Sequence, residues 1–128
     1  MSSRLSRRVQ LPDRAGEGKT YTISGSFIGD LGDVPPLSAL SSLTLTLWDD
    51  ASRAILNNVD RVNILNTGRG TVDVNGYLIC TLVGADNAVL DPQCIEELHV
   101  AFFEWTYSGG DKSGGIEVAY YVRNFAPR

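Results

Sequence analysis

The sequence predicts an all-β fold: a two-layer antiparallel sandwich of about seven or eight short strands, with one short helix and an extended N-terminal arm. Three observations predict it. Apolar and polar residues alternate with period two through most of the chain after Lys19, the pattern of half-buried strands. Turn-forming residues recur every ~8–12 positions, the spacing of sandwich strands. The chain has 128 residues, of which 43% are hydrophobic and 20% charged. That composition supports one packed core and excludes a disordered, collagen-like or coiled-coil chain. The expected division is an extended basic arm over 1–18 and a sandwich over 19–128.

Each element follows from local chemistry. Residues 1–18 carry neither periodicity, and Pro12, Gly16 and Gly18 break any helix, so they read as an arm. In Thr20–Phe27, Tyr21, Ile23, Gly25 and Phe27 fall on one face, a half-buried strand. Gly29–Asp33 is a loop, and Val34-Pro35-Pro36 is held extended by the prolines. In Ser42–Asp49, Leu43, Leu45 and Leu47 point one way and Thr44, Thr46 and Trp48 the other. Asp49–Ser52 is a turn by composition. Arg53–Asn57 reads as a returning strand, and Val59–Leu65 follows it. Thr71–Val74 and Tyr77–Leu82 flank Asn75-Gly76, a two-residue hairpin signal. Gly84–Leu90 is the one helical candidate, stopped by Asp91-Pro92. Glu97–Tyr107 is apolar on both faces, as a central strand is. Ser108–Gly115 reads as a mobile glycine-rich loop, and Ile116–Phe125 as the returning strand.

Charge is unevenly placed. Residues 1–19 hold five basic side chains (Arg4, Arg7, Arg8, Arg14, Lys19) against two acids, whereas the rest holds six basic against thirteen acidic. The overall charge is −4, which argues against direct nucleic-acid binding. No apolar run approaches the ~18–20 residues of a membrane span. The basic N-terminus lacks the ~7–15-residue apolar stretch of a secretory signal. Cys80 and Cys94 do not make a disulfide scaffold. They read as reduced, partly buried thiols, although spacing alone leaves a bridge between them open.

The residue types give little catalytic chemistry. His99 is the single histidine and falls in a strand, where it reads as an ordinary sheet-face residue. No serine sits in a G-x-S-x-G elbow. Cys80, Cys94 and His99 lack zinc-ligand spacing. The expectation is therefore no enzyme, no cofactor and no metal. Acids cluster at Asp30/Asp33, Asp49/Asp50, Asp86/Asp91 and Glu96/Glu97, which leaves a loop-lined calcium site at one end of a sandwich open. Asp73-Val74-Asn75-Gly76 is a fragment of a calcium loop without its later acid and reads as a turn. Thr67–Gly70 opens a strand, without the helix dipole a phosphate loop needs. Among the aromatics, Phe103, Trp105 and Tyr107 share one face, and Trp48 stands on a threonine face. Such residues serve packing or recognition.

In order, the chain runs through a polar strand, PPLSALSSLTLTLWDDASRAILNN, NTGRGTVDVNGYLICTL, GADNAVLD and HVAFFEWTYSGGDKSGGIEVAYYVRNF. This order resembles small immunoglobulin-like β-sandwich structural proteins of tailed bacteriophage virions, over about residues 19–125. These include baseplate-upper-protein N-terminal domains and head or neck accessory proteins. The resemblance implies an immunoglobulin-like sandwich with no catalytic residues, made in the host cytoplasm and located in the virion. A baseplate protein would continue into receptor-binding modules, so the expectation is a capsid decoration, cement or head-neck protein. It would contact major capsid or neck subunits and form a homo-oligomer such as a trimer, with no membrane and no nucleic acid. Two surfaces are expected to make those contacts: the arm (Arg4, Arg7, Arg8, Val9, Leu11, Arg14) and a sheet face (Trp48, Phe103, Trp105, Tyr107). The competing expectation is a tail or baseplate module that binds host-surface glycans or another tail protein.

Overall fold

The computed structural model describes residues 7–26, 40–66, 69–72, 77–107 and 112–124. Nine strands are seen among them: β1 Arg7–Gln10, β2 Ala15–Gly16, β3 Tyr21–Ser26, β4 Leu40–Asp49, β5 Val62–Asn63, β6 Gly70–Val72, β7 Tyr77–Leu82, β8 Glu96–Tyr107 and β9 Lys112–Arg123. The larger sheet has the order β1-β9-β8-β4-β5, with β2 also on β9. The smaller has the order β3-β7-β6. The fold is all-β, with the two sheets packed as a sandwich.

The core lies between their apolar faces. From the larger sheet come Leu43, Leu45, Leu47, Ala101, Phe103, Trp105, Val118, Tyr120 and Val122. Ile23, Val72, Leu78, Cys80 and Leu82 come from the smaller sheet. Antiparallel register decides who faces inward. Leu43 pairs with Trp105, Leu45 with Phe103 and Leu47 with Ala101, and directly paired residues share a face. Phe103 and Trp105 are therefore 0% and 1% exposed. The expectation that they form an outward docking face is corrected: they fill the core. The side chain of Tyr107 lies outside the described residues. Trp48 stands on the other face, half-buried, 5.7 Å from the Phe102 ring.

Trp105 also accounts for a glycine that follows β8 in the chain. Lys112–Gly115 is strand, not loop, and Gly114 pairs with Trp105. A Cβ at Gly114 would stand 2.7 Å from the indole. The ring thus covers a bare stretch of backbone, as aromatics do opposite strand glycines.

The arm is corrected as well, over its described part. β1 pairs in parallel with β9, Arg7 to Ile116 through Gln10 to Ala119. β2 resumes the same edge, Ala15 to Val122. Leu11 N–H donates to Ala119 O, and Glu17 N–H to Arg123 O. Pro12 falls between the two strands, where no ladder donor is required. Residues 7–18 thus belong to the sandwich. Arg8 pairs with Asp50 at 3.0 Å and Glu117 at 2.8 Å. Leu11 packs against the core, and Val9 is half-buried. Arg4 and the Arg7 side chain lie outside the described residues, as do Phe27 and the Asn75-Gly76 turn.

Two smaller departures have local causes. Arg53–Asn57 is reduced to a single bridge, Ile55 to Trp48. Arg53, Asn57, Asn58 and Arg61 all hold positive φ, which interrupts a ladder. The predicted helix is only a 3-10 turn, Gly84–Asn87. The Asp86 carboxylate accepts the Val83 N–H at 2.8 Å, a local bond that competes with helix continuation.

Core membership predicts the cost of truncation. Phe103→Ala should lower unfolding free energy by about 3–5 kcal/mol, read by denaturant titration. A residue on an exposed docking face would cost no more than about 0.5 kcal/mol.

Candidate functional site

The ends of β4 and β8 bring three titratable side chains together. Asp49 closes β4 and pairs across the ladder with His99. Glu97 lies two residues before His99, so strand alternation puts it on the same face. All three are buried, His99 completely. His99 Nε2 stands 3.0 Å from Glu97 Oε1 and 3.9 Å from Asp49 Oδ1. Its Nδ1 is buried without a hydrogen-bond partner among the described residues. The ring meets Tyr120 edge-on, with centroids 6.0 Å apart.

Outer hydrogen bonds hold the two carboxylates in place. Glu97 Oε1 accepts the Leu90 N–H at 2.9 Å and Oε2 the Asp91 N–H at 2.6 Å. Asp49 Oδ2 accepts the Ser52 N–H at 2.9 Å and the Ser52 hydroxyl at 2.7 Å. The cluster thereby fastens the 50–52 turn and the 90–97 connection to the larger sheet. Asp49 and Glu97 also line an open cleft of about 420 Å³, together with Asp50, Asp91, Cys94 and Glu96. Asp50 is paired with Arg8, and Glu96 with Arg14 at 2.6 Å. Asp49, Asp91 and Glu97 have no Lys or Arg partner among the described residues. The cleft is therefore a region of negative potential.

A second polar cluster is a brace. Buried Asp86 accepts bonds from the Arg69 guanidinium, Asn57 Nδ2 and Val83 N. Asn87 Nδ2 donates to Lys19 O, and its Oδ1 accepts the Tyr120 hydroxyl. Its carbonyl accepts Gly18 N–H. The 84–87 turn is thus tied at once to the N-terminal segment, the smaller sheet and β9. Each buried group is matched, which is the condition for burying them without a large penalty.

Both cysteines are free thiols. Burial pushes the Cys80 thiol up to about 12. Cys94 is also raised, chiefly because its Sγ–H donates to Asp91 Oδ2 at 3.3 Å. Neither has the lowered pKa of a reactive cysteine. The structure gathers His99 with Asp49 and Glu97; Cys80 and Cys94, the partners weighed from sequence, are outside that group. The acidic pairs Asp49/Asp50 and Glu96/Glu97 were the legible signal. In each pair one member turns into the cluster and the other toward an arginine.

Comparison with protein-family models, curated proteins and solved structures finds no match to the chain.

Two measurements test the site's electrostatics. Native-state alkylation should modify Cys94, slowly and faster with rising pH, and leave Cys80 untouched until denaturant is added; native labelling of Cys80 would contradict its burial. The Arg14 guanidinium holds the Glu96 carboxyl below its usual range. That contribution is present above the unfolded-state value of about 4.3 and is lost as pH falls through the lower folded value. Arg14→Ala should move the Glu96 titration, followed by NMR, upward toward the ordinary carboxylate range; an unmoved titration would contradict the pairing.

Proposed function

We propose that the chain is a non-catalytic structural protein of a tailed-phage virion, an immunoglobulin-like sandwich that docks on capsid or neck subunits. The pairing order supports the immunoglobulin-like part of this reading. β9, β8 and β4 correspond to strands G, F and C of an immunoglobulin-like sandwich, with β5 as an added C′ strand. β3, β7 and β6 correspond to B, E and D. This order supports the immunoglobulin-like class independently of the sequence pieces that resemble phage virion sandwiches.

The docking surface differs from the one expected at the outset. Phe103 and Trp105 are spent on the core, and Arg8, Leu11 and Arg14 on contacts within the chain. The outer face of the larger sheet keeps a half-buried aromatic pair, Trp48 and Phe102. The indole N–H of Trp48 is buried, without an acceptor among the described residues, and the ring edge supplies the exposed part. Aromatics of this kind anchor protein interfaces. A homo-oligomer, such as a trimer on a capsid three-fold, would repeat this patch around the axis. A tail or baseplate module would use the same pair to stack on host-surface sugars.

Imaging of purified particles with the chain labelled tests the proposal. Repeated copies over the shell, or one ring at the vertex, are the expected outcomes; absence of the chain from particles overturns it. Trp48→Ala should keep the fold and weaken particle binding about tenfold or more, the size of a hot-spot loss. A glycan array that loses signal with the same variant would move the assignment to the tail.

A further inference from the structure

Asp49, Glu97 and His99 each offer one ligand atom, and these atoms lie within 4.8 Å of one another. In a tetrahedral site with bonds of about 2.0–2.1 Å, ligand atoms stand about 3.3 Å apart. The His99–Glu97 and His99–Asp49 separations of 3.0 and 3.9 Å bracket that value. We propose that Asp49, Glu97 and His99 bind a divalent first-row transition cation, best matched by Zn²⁺, with the remaining coordination position open to the cleft.

Four observations carry this. The first is charge. Two buried carboxylates have no Lys or Arg partner among the described residues, and one imidazole, His99, faces both. Burying a charge is costly unless it is paired or coordinates a metal. The second is the imidazole. As an N–H, His99 Nε2 serves Glu97, but Nδ1 then holds a buried lone pair that no donor meets among the described residues. As a lone pair, Nε2 faces two acceptors. A cation on Nε2 converts that opposition into coordination, with the ring proton on Nδ1, which meets no acceptor among the described residues.

The third is pre-orientation. Glu97 is held by two backbone N–H groups, and Asp49 Oδ2 by Ser52. Asp49 Oδ1 is left facing His99. Ligands whose other atoms are fixed by outer hydrogen bonds are characteristic of metal sites. The fourth is access: Asp49 and Glu97 line the cleft, which gives an ion an entry path and room for a water. One imidazole with two carboxylates suits Zn²⁺ and its neighbours, whereas Ca²⁺ and Mg²⁺ prefer all-oxygen shells of higher coordination. The bound ion would clamp the 50–52 turn and the 90–97 connection to the sheet end. The proposal stands apart from the virion assignment.

The test uses the untagged full-length chain, stripped with a chelator and then titrated with ZnCl₂. The expected result is one Zn²⁺ per chain by elemental analysis and calorimetry, a raised Tm, and a shifted ¹⁵N resonance of the His99 ring. CaCl₂ and MgCl₂ at the same concentration should leave the Tm unchanged. Asp49→Asn keeps a carbonyl acceptor for Ser52 and should weaken Zn²⁺ binding about 10–100-fold or more. Cys94→Ser and Glu96→Gln should not. Absence of Zn²⁺ uptake by the unmodified chain overturns the proposal, as does binding that survives Asp49→Asn but is lost in Cys94→Ser. Should Asp49→Asn fail to fold, the His99 resonance of the unmodified chain decides: unshifted by ZnCl₂, it overturns the site.

Discussion

The register of β4 against β8, and of β8 against β9, is the constraint on which the rest depends. Side chains alternate across a strand, so one residue of slip would turn every apolar residue outward. The register that is present stacks Leu45, Phe103 and Ile116 in one row and Leu47, Ala101 and Val118 in the next. Continuing to the strand ends, the same alternation brings Asp49, His99 and Tyr120 into line. The apolar rows need no further support. The row of Asp49 and His99 does, because it carries charge into the edge of the core, and Glu97, Ser52 and the 90–91 backbone supply it.

Closure of the sandwich depends on polar bracing as much as on apolar contact. β1 and β2 cover the free edge of β9, which would otherwise expose its unpaired backbone groups. The 84–87 turn holds that N-terminal segment through Asn87, while Asp86 gathers Arg69 and Asn57 from the other side. Asn124 N–H donates to Ile95 O, and its Nδ2 to Pro92 O and Cys94 O, which fixes the approach to β8. Exposed ion pairs such as Arg14–Glu96 add little by comparison.

These features divide the molecule by role. Its interior is committed to packing, and Arg8 and Arg14 of the N-terminal segment are committed to the chain's own acids. Among the described residues, two surfaces suit contact with other molecules: the Trp48–Phe102 patch on the outer sheet face and the acidic cleft at the sheet end. The first suits a docking protein and underlies the virion proposal. The second suits a cation. The two are chemically independent, and each stands on its own residues.

Period-two alternation is a local property of the chain, so the all-β class, most strand positions and the shared face of Leu43, Leu45 and Leu47 are legible in the sequence. The sequence also marked the acidic pairs and the shared face of Phe103 and Trp105. Which way that shared face points depends on the strand it pairs with and not on the strand itself, so it emerges only in the folded sheet. The edge position of β1 and β2 was illegible for a similar reason. A four-residue strand followed by Pro12 carries too little pattern, and its ladder partners lie more than a hundred positions away. The site at Asp49, Glu97 and His99 joins both cases: its acids were visible, but their meeting with the histidine is a consequence of cross-strand register, which no local spacing encodes.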